Sequence, residues 1–350
     1  SIPVSDEAIY QPSAERKSKS AVGAGKRVNR SVQLSSATSL ACLDRTAESL
    51  RYHHIAPSSR KTYRSGINKF SEFCQLFRLS PLNITEDVVV RYIAFLFNCG
   101  ISYSSVKVYL SALYNSLKEN GSSFDFSAPN IPQCLTGFKR LRGTAADSRL
   151  PITIDNMRII KLNIDRSAVL SSFEKQLYWC MYTLCFFGFL RIGEVVPSLG
   201  GHSLRLADIS YQNSKLIINL RSSKSDQFRD GCRIYLSATD RSVCPVRAMR
   251  KYLALRRSLR ISHTALFVTS DGSPVTRSAF ARVLILATHG IPNSHLYTPH
   301  SFRIGAASCA AANGAPFQDI KHAGRWRSDA YTTYIRKDVP LAGIPLYPQA

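Results

Sequence analysis

The sequence predicts a mainly α-helical chain with a small β-sheet, divided into two domains. Three observations predict it. The chain has 350 residues, more than one compact core usually needs, and 45% of them are hydrophobic. From about residue 39 to residue 141, apolar residues recur every three or four positions, with no alternating stretch. After the break RGTAADSRLP, Arg142 to Pro151, two β-rich runs appear among further helical patterns.

The elements follow in order. Residues 1–36 are rich in Ser, Ala, Lys and Arg without hydrophobic periodicity and read as a mobile basic arm. Ser39 to Tyr52 reads as a helix, with Pro57 stopping the chain after it. Ser58 or Ser59 is expected to cap the next helix, in which Tyr63, Ile67, Phe70 and Phe73 form the apolar stripe. Thr85 is placed to cap Glu86 to Asn98, with acids in the first turn and Gly100 beyond the end. Ser104 is expected to cap Ser105 to Asn120, closed by Gly121, and a short fifth helix is expected near Gln133 to Leu141. These make residues 37–142 a small helical bundle, followed by a linker at 143–151.

The second domain, 152–340, has a different texture. Thr153 caps a helix, and Phe173 to Leu190 reads as a buried one. Lys215 to Leu220 and Cys232 to Leu236 form a hairpin with a long charged tip. Cys244 to Arg257, Ser278 to Gly290 and Phe302 to Asn313 read as helices, and 341–350 as a tail.

Charge narrows the partners. Lys and Arg number 46 against 23 Asp and Glu, a net +23. Split at residue 150, the halves carry +9 and +14, so the excess is not one basic tail. Two basic lobes point to a polyanion held from two sides, DNA or RNA by default. A membrane surface is disfavoured, since there is no apolar run of about 20 residues, secretory signal or lipidation motif. In the bundle, Arg60, Lys61, Arg64 and Lys107 are the candidate phosphate contacts, the RKTYR cluster foremost; a single Lys there would merely be solvated. Nine cysteines without CxxC or finger spacing argue against zinc. Cys42, Cys74, Cys99, Cys180, Cys185 and Cys309 read as small buried hydrophobes in a reducing compartment.

Four places carry chemistry-bearing residues. In FLRIGEVVPS, Arg191 follows a long apolar run and Glu194 is its nearest anion; a structural pair and a guanidinium aimed at phosphate both fit. In TPHSFRIGAAS, His300 and Arg303 share a helix face, an arrangement suited to one phosphate or carboxylate. Lys224 sits in the hairpin tip, where most lysines are only solvated. In GRWRSDAYTTYI, Trp326 offers one N–H, and Tyr331 and Tyr334 offer phenols.

In this order the set resembles the tyrosine recombinases of the phage-integrase and Cre/Xer type. Arg191-Ile-Gly-Glu194 is similar to the first-arginine motif, Lys224 to the hairpin lysine, and His300-Ser-Phe-Arg303-Ile-Gly to the second-arginine motif. Gly324-Arg-Trp326 stands at the His/Trp position, and Tyr334-Ile resembles the nucleophile box, with Tyr331 one turn earlier as the alternative. Each motif is short; five in order are specific. The wording HSFRIGAAS with GRWRSDAYTTYI looks most like DIRS-like and Crypton-like eukaryotic mobile elements. Trp326 and Tyr334 are eight apart, where Cre and Xer members usually have nine.

The resemblance implies a helical, SAM-like core-binding domain and a mixed α/β catalytic domain closing as a C-shaped clamp on duplex DNA. It implies a recombinase or integrase of a mobile element that cuts and rejoins DNA through a 3′-phosphotyrosyl intermediate, with no cofactor, metal or ATP. Tyr334 would be the nucleophile, Arg191 and Arg303 the phosphate clamp, His300 and Trp326 its hydrogen-bonding partners, and Lys224 the acid for the leaving 5′-oxygen. Glu194 would orient Arg191. It implies a homodimer on each site, a homotetramer in synapsis and a nuclear, reducing setting. Leu341, Ile344, Leu346 and Tyr347 in the tail would dock on a neighbouring protomer, though the prolines forbid a long helix. A type IB topoisomerase-like enzyme and a domesticated, non-catalytic DNA-binding protein are the alternatives; a metal-dependent nuclease lacks its paired carboxylates.

Overall fold

Twelve α-helices, three short 3₁₀ turns and one three-stranded sheet are present among the described residues of a computed structural model, which are 40–143, 147–197, 203–221, 231–239, 242–336 and 339. The expected basic arm, most of the hairpin tip and the tail at 341–350 lie outside them.

By internal contacts the chain divides at His54/Ile55. The first unit contributes α1, Leu40–His53, which buries none of its residues. The rest begins with α2, Pro57–Leu76. Here the expectation fails: Pro57 starts a helix rather than stopping one, and Ala56, not a serine, occupies the N-cap. A first-turn proline gives up only an N–H that would have no helical partner. Thr85 does cap α3, Glu86–Asn98, accepting from the Val88 N–H. Ser102, not Ser104, caps α4, Tyr103–Glu119, and α5 runs from Asn130 to Arg142. Phe70, Phe73, Tyr92, Leu96, Val106, Leu113, Ile131 and Phe138 form the core of α2–α5.

A second, separate core begins at Ile152. α6, Ile154–Arg166, starts at a capping box between Thr153 and Asn156, and α7, Ser172–Phe187, at one between Ser171 and Glu174. α7 is apolar on all sides because it is the middle of this core, packing on α9, Pro245–Ser258, and on α11, Ser301–Ala312. Between these lie the short α8, Ile192–Val195, and the antiparallel sheet β1 (Ile209–Gln212), β2 (Lys215–Leu220), β3 (Cys232–Leu236). The expected hairpin pairs Leu220 with Cys232 and Leu216 with Leu236; β1 is the strand its short, mostly exposed sequence hid. α10 spans Arg277–Ala287 and α12 spans Phe317–Ala323; the sequence reading had no helix at α12.

α11 is the element that positions the site. Ten of its residues, Ser301 to Ala310, are buried, and most are small. A Cβ on Gly305 would come within 1.8 Å of the Ile152 carbonyl oxygen, so the helix passes that backbone only because the position is glycine. Cys74, Cys180, Cys185 and Cys309 are buried as expected, but Cys42 and Cys99 are exposed, being on an uncovered helix and at a helix end.

Candidate active site

Four segments bring the motif residues together. The first is the end of α7. Gly188 closes that helix and Phe189 turns the chain at φ 48, a left-handed conformation uncommon for a bulky residue. The turn aims the Phe189 carbonyl oxygen back into the site, where it accepts from Arg303 Nη1 and, at 3.0 Å, from Arg325 Nη2. Arg191 follows as the N-cap of α8.

Glu194, buried, is the anion of this cluster. Its carboxylate accepts from the Arg191 backbone N–H at 2.9 Å, from Arg191 Nη1 at 3.1 Å and from Arg325 Nη2 at 3.0 Å. The expected pair with Arg191 is therefore present, shared with a third arginine that the sequence reading had not assigned. Arg325 also donates to the Gly188 and Ala323 carbonyls, both at 3.1 Å.

The second segment is the start of α11. His300 is its N-cap and Arg303 lies in the first turn, fully buried. Arg303 Nη2 donates to the Gly324 carbonyl, and the guanidinium carbon sits 4.2 Å from the centre of the Trp326 ring. Burial lowers its pKa, with the charges of Arg191 and Arg325 adding to the effect; the guanidinium stays charged at neutral pH. Burial also lowers the pKa of His300, to about 4, helped by Arg149 and Arg303, so the imidazole is neutral at physiological pH.

The third and fourth segments are the turn after α12 and the 3₁₀ helix Asp329–Tyr334. Gly324 permits the turn because a Cβ there would overlap the Trp326 ring at 1.6 Å. Trp326 is buried against Phe189 and Tyr331. Tyr331 and Tyr334 part company here. Tyr331 is buried between Trp326 and Phe317 and serves as core. Tyr334 is half-buried, with its ring 5.1 Å from that of His300, 4.9 Å from that of Trp326 and 5.7 Å from the Arg303 guanidinium. Its peptide oxygen accepts from Ser308 on α11 at 3.0 Å.

Five of the six expected catalytic residues, Arg191, His300, Arg303, Trp326 and Tyr334, thus form one cluster. Lys224 lies outside the described residues. The base of its hairpin is anchored by Arg221, whose Nε donates to the buried Asp208 at 2.7 Å. Two donors in the cluster, Arg303 Nε and Trp326 Nε1, are buried and have no hydrogen-bond partner among the described residues. Such donors are costly unless an acceptor comes to them, and a tetrahedral oxyanion supplies several acceptors at once.

Residues 42–120 match the family model described as phage integrase, N-terminal SAM-like domain. An integrase/recombinase xerD homolog of Selenomonas ruminantium is 23% identical over 294 residues, 78% of this chain and 80% of that protein. The fold resembles that of the XerH site-specific recombinase bound to difH substrate, with a TM-score of 0.59 and 17% identity over 85% of this chain and 80% of that one. It also resembles the Tn1549 transposon integrase in complex with circular intermediate DNA, with a TM-score of 0.54 and 14% identity over 83% and 93% of the two chains. A lambda integrase dimer on a core site gives 0.51, with 16% identity over 85% and 94%. In fold the chain resembles these recombinases and integrases.

Two site residues were hidden in the sequence. Arg325 stood inside the quoted GRW motif, but nothing in one dimension says that its side chain reaches Glu194. Arg149 lies in the linker and lowers the His300 pKa through its charge, and no pattern marks it. The candidate DNA contacts of the bundle differ among themselves. Lys61, Arg64 and Lys107 are exposed, and Lys61 lines a groove of about 450 Å³ between α2 and α4 with Ser65 and Ser105. Arg60 is half-buried and folds back, Nε and Nη2 donating to the Ile55 carbonyl at 3.2 and 3.0 Å; this capping of its own helix start makes it a weaker phosphate candidate than the sequence suggested.

Proposed function

We propose that this protein is a tyrosine recombinase, a site-specific recombinase or integrase of a mobile element, of the DIRS-like or Crypton-like kind, working in the nucleus. The observation that carries the activity is the meeting of Tyr334 with His300, Trp326 and Arg303 around two buried donors that lack an acceptor. The scissile phosphate is the acceptor. Arg191 and Arg303 stabilise its non-bridging oxygens as charge builds in the five-coordinate transition state, and Trp326 Nε1–H donates to the same group. His300 is neutral, so it is able to accept the Tyr334 proton as that oxygen attacks phosphorus.

Attack forms the P–O(Tyr) bond and breaks the P–O5′ bond. Lys224 delivers a proton to the departing 5′-oxygen. The phosphotyrosyl ester keeps the phosphodiester's energy, so an incoming 5′-hydroxyl reverses the step on a second strand. The proposed working form is a homodimer on each site and a homotetramer in synapsis, each basic lobe holding phosphate.

The test is incubation with duplexes bearing the element's own termini, followed by denaturing electrophoresis and peptide mapping of the protein–DNA adduct. Tyr334→Phe should abolish the adduct and keep DNA binding, because only the hydroxyl is lost. Tyr331→Phe should keep the adduct. An adduct mapped to Tyr331 would overturn the assignment, and relaxation of plasmids lacking those termini, without strand exchange, would favour a topoisomerase-like activity.

A further inference from the structure

The segment leading into the catalytic domain is tied to the chain just past the proposed nucleophile. Asp147 and Arg149 form a two-pronged pair, Nε to Oδ1 at 2.7 Å and Nη2 to Oδ2 at 3.0 Å. The same Oδ2 accepts from Arg336 Nη2 at 3.0 Å. Arg336 stands two residues after Tyr334. Its backbone N–H donates to Ser308 Oγ at 2.9 Å, and that hydroxyl donates to the Tyr334 peptide oxygen. Its Nη1 donates to the Thr333 carbonyl, the residue before the tyrosine, at 2.5 Å. The segment itself is laid along the approach to His300 by the Leu150 and Ile152 N–H groups, which donate to the carbonyls of Leu296 and Ser301.

We propose that Asp147 is a positioning residue for Tyr334, acting through Arg336, and that it links the interdomain segment to the nucleophile. The inference rests on the activity proposed above. Stability is a poor reason for this ion pair: Asp147 and Arg336 keep 35% and 26% of their side-chain surfaces exposed, and pairs so placed contribute little. Geometry is a better one. The 3₁₀ turn that carries Tyr334 is six residues long and ends at that tyrosine, so the turn's own hydrogen bonds do not brace its far side. Ser308 fixes the tyrosine's peptide from the α11 side. Asp147 fixes the following residue from the linker side, and Arg336 Nη1 returns the restraint to the residue before. In-line attack needs such restraint, since a displacement of about 1 Å costs on the order of 100-fold in rate. The linkage also means that a movement of the interdomain segment reaches Tyr334 directly. Arg149 donates to both carboxylate oxygens, so Asp147 is itself kept in place.

The test uses the full chain with 3-fluorotyrosine at position 334, read by fluorine NMR without DNA, and single-turnover adduct formation by the unlabelled protein at saturating duplex. Asp147→Ala and Arg336→Ala should each move or broaden the fluorine resonance in the same way. The double variant should go no further, and Arg336→Lys should restore most of the wild-type signal. In the kinetic measurement, Asp147→Ala should slow adduct formation about 10-fold. The duplex Kd should stay equal or fall, because an acid is removed from a phosphate-binding region. A resonance unchanged in Asp147→Ala, or changes that add in the double variant, would overturn the linkage. A wild-type protein that forms no adduct would instead count against the proposed activity, and the fluorine measurement would still decide this inference.

Discussion

Removing the Glu194 carboxylate is the sharpest perturbation the site offers. Glu194 is 4% exposed and takes three hydrogen bonds, two of them from the guanidiniums of Arg191 and Arg325. Those two side chains are themselves 20% and 12% exposed, so neither finds much water when the acid goes. Two lost charge-assisted hydrogen bonds, at roughly 1.5–3 kcal/mol each, give about 3–6 kcal/mol. Deleting one partner of a buried ion pair costs about 3–5 kcal/mol, and the two routes overlap there. Glu194→Ala should therefore destabilise by about 4 kcal/mol, a large share of the roughly 5–15 kcal/mol that holds a domain folded. Glu194→Gln keeps the size and one acceptor oxygen, and should cost about 2 kcal/mol. The assay is urea unfolding, read as a midpoint shift at unchanged slope, beside adduct formation under conditions where each variant stays folded. Both variants should also lose adduct rate, because Arg191 is no longer aimed. A cost below about 1 kcal/mol for Glu194→Ala would mean that the triad behaves as a surface pair, and would refute the reasoning.

Three further outcomes are expected. If Lys224 is the general acid, Lys224→Ala should cleave normal DNA about 10²- to 10⁴-fold more slowly. It should recover on a substrate with sulfur at the 5′-bridging position, where the leaving thiolate needs no proton; equal defects on both substrates would send the search to Arg221 or Arg229. Gly305→Ala should unfold the catalytic domain or lower its stability by several kcal/mol, on the order of an overpacked core and beyond, because the methyl meets the Ile152 carbonyl oxygen rather than a side chain able to move. A stable Gly305→Ala protein would show that α11 does not pass as close as described. The pKa of His300 is lowered to about 4 in the free chain, and an incoming phosphate raises it. Between that value and the imidazole's ordinary one near 6.5, DNA binding should take up a proton, seen by calorimetry at pH 5.5 in buffers of different ionisation enthalpy and absent in His300→Gln. The same depression means that the unfolded chain binds the extra proton in this window, so the His300 contribution to stability is present above about pH 6.5 and is lost as pH falls toward 4. Proton release on binding would contradict the sign.

Much of the helical part was written in local chemistry. Thr85 and Thr153 cap the helices they were expected to cap, and β2 and β3 begin and end where the β-rich runs Lys215–Leu220 and Cys232–Leu236 placed them. Capping and short β-rich runs involve residues only a few positions apart, so a single sequence carries them. The caps expected at Ser58 or Ser59 and at Ser104 fall instead at Ala56 and Ser102, two or three residues earlier, where neighbouring residues carry similar local signals. The exposed Cys42 and Cys99 show the same limit, since an apolar neighbourhood in sequence does not say which face is covered. Within the site, the identities of Arg191, His300, Arg303, Trp326 and Tyr334 were legible because their order along the chain is distinctive. Which tyrosine faces the cluster was decided by the fold: Tyr331 is closed in by Phe317 and Trp326, while Tyr334 meets His300. The partners of the arginines were likewise invisible, because Arg325 reaches Glu194 across 131 residues and Arg336 reaches Asp147 across 189. A charge in a sequence states only that a counter-charge is needed; which one stands within 3 Å depends on the path of the whole backbone, and here that path runs through a left-handed Phe189 and a glycine at 305 that admits α11 to the centre of the core.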